Sequence, residues 1–500
     1  MIGEERYGAV PVAGGVEFRV WAPNAESVAV RVNGRDRELV RDGESFAGLV
    51  DAAPGDDYRY VLDGGDAWPD PCSRAQPEGV RGPSRVVDTA ALAIRAAPPL
   101  DLGRLVLYEL HVGTFSQAGT FDGAIPQLPA LREAGITAIE VMPVATFPGE
   151  RGWGYDGLYT SAPHPAYGGP EGFARLVDAA HAAGLGVVLD VVYNHIGPGD
   201  EALEAFGPYF TTRHGTAWGK AIDYLRRPVR EWAVQNAELW VGDYQVDGLR
   251  LDAVHAIVDD ESPVHVLREL ADRVHTAHSG ALVISEMQLH DLRPVEEWGH
   301  DAQWDDSLHH ALHALLTGER DGYYADFGSV EDVAAARERS DPRFVVCAQN
   351  HDQVGNRALG DRLTPAQDRV ALGAALFSRS TPLVFMGEEY GETRPFLFFA
   401  DHVDPAIATA TREGRKREFA AFASFAGEEP PDPGAASTFE ASRLEPRPAE
   451  PWFRDAVALR AELPDELETE VLGARRLAVR RGSHALTLDF DALTAEVARP

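Results

Sequence analysis

The stretch VDGLRLDAVHAI, residues 246–257, begins as an apolar strand and then places Arg250, Asp252 and His255 at its end. Charged side chains directly after a buried strand need an explanation, because an unpaired charge is costly to remove from water. Several other apolar runs of the chain end in the same way, with an acidic residue at or near the last apolar position. The pattern predicts parallel strands whose carboxyl ends meet at one mouth.

Compact apolar runs alternate with Ala-rich, helix-like stretches such as PEGFARLVDAAHAAG, which is the rhythm of β/α units. The weak run DAQW, residues 301–304, completes the eight strands of a parallel (β/α)8 TIM barrel. Between the third and fourth runs lie residues 193–245, a connection long enough to help shape a binding surface. The other seven runs are RLVLYEL (104–110), ITAIEVM (136–142), LGVVLDVV (185–192), VDGLRL (246–251), LVIS (282–285), FVVCAQ (344–349) and PLVFM (382–386).

The sequence changes character on both sides of this barrel, and 500 residues exceed what one hydrophobic core usually organises. Alternating segments such as VEFRVWAP and SVAVRVNG, broken by Gly, Asn and Pro, predict an N-terminal β-sandwich over residues 1–97. The catalytic barrel is predicted over residues 98–430. Residues 431–500 are predicted as a linker, marked by EEPPDPGAAS and LEPRPAEPW, followed by a small C-terminal β domain.

Composition limits the class of partner. The net charge of -33 repels phosphate backbones and anionic lipid, so we expect neither nucleic-acid nor membrane partners. The start MIGEERYGAV lacks a basic region followed by an apolar one, and no run of 18 apolar residues occurs, which favours a soluble cytoplasmic protein. Cys72 and Cys347 lack CxxC or zinc-ligand spacing, as expected in a reducing compartment.

Acidic residues follow four of the predicted strands. Asp190 lies near the end of LGVVLDVV, and Asp252 follows LRL. Glu286 follows LVIS, and Asp352 closes FVVCAQNHD. At one mouth such carboxylates repel each other, and a fixed cation such as Arg250 would hold some of them ionised while another keeps its proton. Two carboxyl groups with separated pKa values are what glycosidic bond cleavage requires.

Each of these residues also has a structural interpretation. Asp252 alone could cap the helix that begins at AVHAI, and Glu286 alone could be a solvated loop acid. Asp352 could be a turn former, and Asp190 with Arg250 could be a structural ion pair, which is compatible with a catalytic consequence. The shared placement at successive strand ends favours the catalytic interpretation.

Aromatic and imidazole side chains near these strand ends suit a sugar ring. Trp153 and Tyr155 in RGWGYDGLY follow the second run. A pyranose packs its C–H face on an aromatic plane, and its hydroxyl groups need donors and acceptors. We therefore expect Tyr155, His195 and His351 around the ring.

Other catalytic patterns find little support. His309 and His313 have the i, i+4 spacing of a helical metal pair, but HExxH and a third ligand are lacking, so we predict helix-surface or cavity-wall histidines. GTAWGKA lacks the spacing of a phosphate-binding loop, and neither a GxSxG elbow nor a dinucleotide fingerprint occurs. We predict no metal and no cofactor.

The same residues resemble the α-amylase superfamily of retaining glycoside hydrolases. The matching motifs are DVVYNH (190–195), GLRLDAVH (248–255), the strand end at Glu286 and NHD (350–352). The resemblance implies that Asp252 is the nucleophile, Glu286 the general acid/base and Asp352 the acid that grips the sugar hydroxyls. The candidate substrate-binding residues are Tyr155, Asp190, His195, Arg250, His255 and His351.

Longer segments, among them YELHVGTFS, GERGWGYDGLY and QNHDQVGNRALGDRL, are similar to one group within the superfamily from about residue 15 to 425. That resemblance implies hydrolysis of the α-1,4 bond next to a terminal trehalose unit, with release of trehalose from a maltooligosaccharide blocked at its reducing end. A glycogen branching or debranching enzyme is the nearer alternative. A non-catalytic glucan-binding protein is the alternative of another class. The oligomeric state does not follow from the sequence.

Overall fold

The computed structural model describes residues 6–199, 201–420 and 430–498. The predicted fold class is confirmed, since a closed parallel barrel lies between an N-terminal and a C-terminal β-sheet region. The predicted domain limits at residues 97/98 and 430/431 stay predictions. Parts of those domains, residues 1–5, 421–429 and 499–500, lie outside the described residues.

Short antiparallel strands form two facing sheets before the barrel. They are β1 (Gly8–Val12), β2 (Gly15–Trp21), β3 (Val28–Val32), β4 (Arg35–Glu38), β5 (Val40–Asp42), β6 (Ser45–Val50), β7 (Asp57–Leu62), β8 (Ala67–Trp68) and β9 (Ser84–Arg85). One sheet has the order β1-β2-β6-β5, and the other has the order β4-β3-β7-β8 with β9 beside β7. The sheets share an aromatic core in which Phe18 contacts Tyr58 and Tyr60 edge to face.

Every predicted apolar run, including DAQW, overlaps a strand of the barrel. The barrel strands are β10 (Leu107–Leu110), β11 (Ala138–Val141), β14 (Gly186–Val191), β17 (Gly248–Leu251), β18 (Leu282–Ser285), β19 (Ala302–Trp304), β20 (Phe344–Cys347) and β21 (Thr381–Phe385). Each pairs in parallel with the next, and β21 pairs with β10 to close the barrel. Two hairpins are inserted, β12 (Ala145–Thr146) with β13 (Tyr159–Pro163), and β15 (Phe210–Thr216) with β16 (Gly219–Ile222).

Helices connect the strands of the barrel and continue beyond it. They are α1 (Val112–Phe115), α2 (Phe121–Ala124), α3 (Leu128–Glu133), α4 (Gly169–Ala183), α5 (Glu201–Phe206), α6 (Arg227–Glu238), α7 (Val266–Ala277), α8 (Arg293–Glu296), α9 (Ser307–Thr317), α10 (Val330–Glu338), α11 (His351–Gly355), α12 (Pro365–Leu376), α13 (Pro405–Ala420), α14 (Ala436–Ala441) and α15 (Pro451–Arg460). Gly184 ends α4 in the left-handed conformation with φ 77°, where a glycine avoids the clash of a Cβ atom.

The interior of the barrel changes from apolar to charged along its length. A separate apolar cluster inside it includes Leu107, Ala138 and Val188. Because side chains of a strand alternate between two faces, the residues two positions further along also point inward. These are Glu109, Glu140 and Asp190, all buried. The apolar layer therefore supports a charged layer directly below the mouth.

The C-terminal region forms one antiparallel sheet of β22 (Glu468–Gly473), β23 (Arg476–Arg481), β24 (His484–Asp489) and β25 (Thr494–Ala498). Its buried face, which includes Leu477, Val479 and Leu486, joins the main hydrophobic core. Cys72 and Cys347 are free thiols. Within the described ranges, no helix combines the length and apolar character needed to cross a bilayer.

Candidate active site

A cavity of about 860 Å³ opens at the carboxyl ends of the barrel strands. This volume is in the range of sites that enclose small ligands, and it is large enough for the end of an oligosaccharide. Most of the residues predicted for the site line this one cavity, namely Tyr155, His195, Asp252, His255, Glu286, His351 and Asp352.

Arg250 lies at the centre of the site and is fully buried. Its Nη1 donates to Asp190 Oδ2 at 2.8 Å and to Asp252 Oδ1 at 2.9 Å. Its Nη2 donates to Glu286 Oε2 at 2.7 Å. The guanidinium also lies 4.3 Å from the ring centre of Trp304, an attractive cation–π distance. One cation thus joins three carboxyl groups that would otherwise repel each other.

Asp190 and Arg250 lie one layer below the cavity and do not line it. The Asp190 side chain is 1% exposed, and burial raises its pKa to about 7 although Arg250 opposes that rise. Asp190 Oδ2 also accepts a hydrogen bond of 2.7 Å from the Tyr155 hydroxyl. The ion pair between Asp190 and Arg250 that the sequence suggested is therefore present. Its position beneath the cavity suits a structural role in holding the site together.

Asp252 and Glu286 are both held by groups besides Arg250. The Asn194 amide donates to Asp252 Oδ2 at 2.6 Å, and the backbone N–H of Ala253 donates to Glu286 Oε2 at 3.0 Å. Ala253 has φ 40°, a strained value for a residue with a Cβ atom, and this conformation is part of the turn that follows Asp252. The short helix after it begins with Ala253 as N-cap, so Asp252 is not its cap.

Asp352 lies in the first turn of α11 and lines the cavity. Its side chain is 34% exposed, and Oδ1 accepts from the Asn356 amide at 2.9 Å. The capping function at this helix belongs to Asn350, whose side chain accepts from the Gln353 N–H. Asp352 therefore keeps most of its hydrogen-bonding capacity for the cavity.

His351 connects Asp352 to the layer below. Its Nε2 lies 2.7 Å from the Tyr155 hydroxyl and 3.4 Å from Asp352 Oδ2. The His351 and Tyr155 rings stack with their centres 5.1 Å apart. Its Nδ1 lies 2.5 Å from Glu109 Oε1. Burial opposes a charge on His351, but the nearby Asp352 and Glu109 carboxylates raise its pKa to about 10.

The long insert between the third and fourth barrel strands contributes one wall, as predicted. The β15–β16 hairpin carries Trp218 at its tip, half exposed and stacked on His195 with ring centres 5.6 Å apart. His255 lies on the other side of Trp218, at 6.1 Å. Burial lowers the pKa of His195, so this ring is neutral at pH 7.

The two histidines with metal-like spacing are buried in α9 behind the cavity wall. His309 Nδ1 lies 2.6 Å from the Ala348 carbonyl, and its Nε2 lies 3.0 Å from the Tyr324 hydroxyl. His313 Nε2 is 2.9 Å from Glu319. Both rings are therefore engaged in hydrogen bonds that position the wall.

Sequence patterns did not identify several residues of the site. Asn194 is adjacent to a predicted residue, but its role depends on β17 lying beside β14. Trp218 lies in a Gly-rich turn without any periodic signal. Asp306 lines the cavity. Burial and, to a smaller extent, the nearby charges of Glu286 and Asp352 raise its pKa to about 7. Applying the strand-end rule to DAQW would have found Asp306.

The fold and the acids at its mouth define a glycoside hydrolase of the α-amylase type. The family model for the alpha amylase catalytic domain matches residues 109–205. A solved structure of a Salmonella typhimurium protein assigned as an alpha amylase superposes with a TM-score of 0.89 and 37% identity. It covers 97% of this chain and 93% of that one.

The relatives define the family more closely. Malto-oligosyltrehalose trehalohydrolase from Saccharolobus solfataricus is 42% identical over 475 residues, covering 86% of this chain and 82% of the relative. The enzyme of the same name from Deinococcus radiodurans is 43% identical over 478 residues, covering 88% and 79%. The chain belongs to the malto-oligosyltrehalose trehalohydrolase family, and the resemblance found in the sequence is confirmed.

Proposed function

We propose that the protein hydrolyses the α-1,4-glucosidic bond next to the terminal trehalose unit of maltooligosyltrehalose and releases trehalose. The family supplies the substrate class, since relatives with this name match most of the chain. The observation that carries the chemistry is the shared cation, because Asp252 and Glu286 are bound to different nitrogens of the Arg250 guanidinium at the cavity floor.

In the first step, the Asp252 carboxylate attacks the anomeric carbon of the glucose next to the trehalose unit. The bond from that carbon to the bridging oxygen breaks, and Glu286 gives its proton to the departing oxygen. The products of this step are a covalent glucosyl-enzyme and free trehalose. Arg250 and the Asn194 amide both donate hydrogen bonds to the Asp252 carboxyl group, whose ionised form the attack requires.

In the second step, the Glu286 carboxylate takes a proton from a water molecule, whose oxygen attacks the same carbon. The bond to Asp252 breaks and its carboxylate is restored, while Glu286 again carries a proton. Two displacements at one carbon retain its configuration. The mechanism requires the two carboxyl groups to be about 5 to 5.5 Å apart.

The remaining cavity residues would bind the sugar. Asp352 is positioned to accept hydrogen bonds from hydroxyl groups of the attacked ring, and Tyr155 offers an aromatic edge and a hydroxyl beside it. Trp218 and His195 present a stacked aromatic surface at the cavity wall, which suits the C–H face of a sugar.

The test compares two substrates of the same length. Incubation with maltotriosyltrehalose should yield equal amounts of trehalose and maltotriose by chromatography, while maltopentaose, which has the same number of glucose units but a free reducing end, should react much more slowly. New branches in amylose without trehalose release would favour the branching alternative. Binding of both oligosaccharides without any product would favour a glucan-binding protein.

A further inference from the structure

Two buried glutamates of the barrel occupy matching positions but have different partners. Glu109 on β10 and Glu140 on β11 are paired in register, and each is 1% exposed. Glu109 accepts hydrogen bonds from His351, at 2.8 Å from the backbone N–H and at 2.5 Å from Nδ1. Both carboxyl oxygens of Glu140 are without a hydrogen-bond partner among the described residues.

The difference in partners also affects the electrostatics of Glu140. Burial raises the pKa of Glu140 well above its usual range, and the neighbouring Glu109 adds to the rise. Glu109 instead bonds to an imidazole. The chain thus offers two acids of equal burial and position, of which one is hydrogen-bonded to His351 and the other is not.

The imidazole next to Glu109 faces the cavity with its other nitrogen. His351 Nε2 is within 2.7 Å of the Tyr155 hydroxyl, and that hydroxyl is 2.7 Å from Asp190 Oδ2. A neutral His351 that donates a hydrogen bond from Nδ1–H to Glu109 has to accept one at Nε2. The Tyr155 hydrogen would then point to His351. A cationic His351 donates from both nitrogens, and the Tyr155 hydrogen is free to point to Asp190.

The surroundings of His351 favour the cation. Arg250 opposes the charge, but the Asp352 and Glu109 carboxyl groups favour it, and the rings of Trp153 and Trp304 lie 5.8 and 6.0 Å from the imidazole. The titratable and charged groups that face it are Glu109, His111, Glu140, Tyr155, Asp190, Arg250 and Asp352.

We propose that Glu109 is a positioning residue that keeps His351 doubly protonated and thereby fixes the direction of the hydrogen-bond chain from His351 through Tyr155 to Asp190. The role rests on the proposed function, because it orients groups around the attacked sugar. Glu109 acts only through His351, since it does not line the cavity. His351 Nε2 also lies 3.4 Å from Asp352 Oδ2.

The direct test measures the protonation of His351 by NMR of the full-length protein labelled with 15N-histidine. Comparison with His351→Asn assigns the His351 signals. In the wild type and in E140Q, His351 should remain cationic at pH 8. In E109Q, its titration should move down by at least about one pH unit, since a neutral amide no longer attracts the proton. E140Q is the matched control, because it makes the same change at the same depth in an acid that has no hydrogen bond to His351.

The kinetic readout is the pH profile of kcat/KM on maltotriosyltrehalose. The alkaline limb of E109Q should move to lower pH together with its His351 titration, while E140Q should follow the wild type. E109D retains the charge, and His351 should remain cationic at pH 8 in that variant.

An unchanged His351 titration in E109Q, or an equal shift in E140Q, would overturn the proposal. If E109Q does not fold, the wild type still decides, because a His351 titration near 6.5 contradicts a fixed cation. A wild-type protein that releases no trehalose would remove the proposed function, and the NMR measurement would still test Glu109 separately.

Discussion

The two ends of the barrel both bury arginine, but they neutralise it in different ways. At the mouth, Arg250 contacts the carboxyl groups of Asp190, Asp252 and Glu286. At the opposite end, where β21 begins, the hydrogen-bond partners of the Arg337 and Arg460 side chains among the described residues are backbone carbonyl oxygens. The first arrangement opposes charge with charge, and the second opposes charge with peptide dipoles.

The carbonyl oxygens at the lower end belong to the end of α12 and the turn after it. Arg460 donates to Leu376, Ser378 and Ser380, and Arg481 on β23 also donates to Ser378. Carbonyl groups at a helix C-terminus carry partial negative charge. Burial lowers the pKa of Arg460 to about 10, an effect that Arg481 increases.

The difference separates function from attachment. Carboxyl partners can gain or lose protons, so the network at the mouth can support acid/base chemistry. Carbonyl partners cannot titrate, so the lower network only ties α10, α15 and the C-terminal sheet to the barrel. This division agrees with the general placement of active sites at the carboxyl ends of barrel strands.

The largest effect is expected for Asp252→Asn, which removes the proposed nucleophile and nearly preserves the shape of the side chain. Activity on maltotriosyltrehalose should fall on the order of 10⁴-fold, as for other catalytic groups that form covalent bonds. Substrate binding by calorimetry should remain. Asp259→Asn is the control, since Asp259 also bonds to a buried arginine, Arg230, but lies outside the cavity. Equal losses in the two variants would contradict the comparison.

Arg250→Met should be the most destabilising change at the mouth. It leaves three acids without their cation, and breaking a buried ion pair on one side typically costs about 3–5 kcal/mol. Burial already raises the pKa of Asp190 to about 7 against the opposing effect of Arg250, so removal of the cation raises this pKa further and the loss should shrink as pH falls from 7 to 5. Urea unfolding at both pH values measures this. A loss that is the same at both would show that packing on Trp304 dominates.

Arg460→Met should lower stability by a smaller amount and leave the chemistry intact. The carbonyl oxygens of Ser378 and Ser380 lose donors, which costs about 1–3 kcal/mol for each buried group left unsatisfied. Below the unfolding transition, kcat should equal that of the wild type. Arg454→Met, on the exposed side of the same helix, serves as the control in urea unfolding. A clear decrease in kcat for Arg460→Met would break the proposed division between the two ends.

The barrel could be predicted because the alternation of apolar runs with helix-like stretches is a local pattern. The short DAQW run was identified because seven runs had been found and a closed barrel of this type has eight strands. The strand-end rule, which also uses a local pattern, located Asp252, Glu286 and Asp352 at one cavity. The contacts that depend on neighbouring strands were not predictable from local patterns. Glu109 and Glu140 look alike in the sequence, and only the packing of His351 against one of them distinguishes the two.

Trp218 and the lower arginines show two further limits. An exposed tryptophan in a hairpin has no periodicity, and its place on the cavity depends on the fold of the whole insert. Arg337 and Arg460 lie in ordinary helix sequences, where arginine usually faces water, and their burial follows from the docking of the C-terminal sheet.

The most direct measurement is to identify the residue that forms the covalent bond. Glu286→Gln can be incubated with α-maltotriosyl fluoride, whose leaving group needs no proton, and then digested and examined by peptide mass spectrometry. We expect a maltotriosyl group on the peptide that contains Asp252, and none in Asp252→Asn. A sugar attached to a different residue, or fluoride release at an unchanged rate from Asp252→Asn, would contradict it.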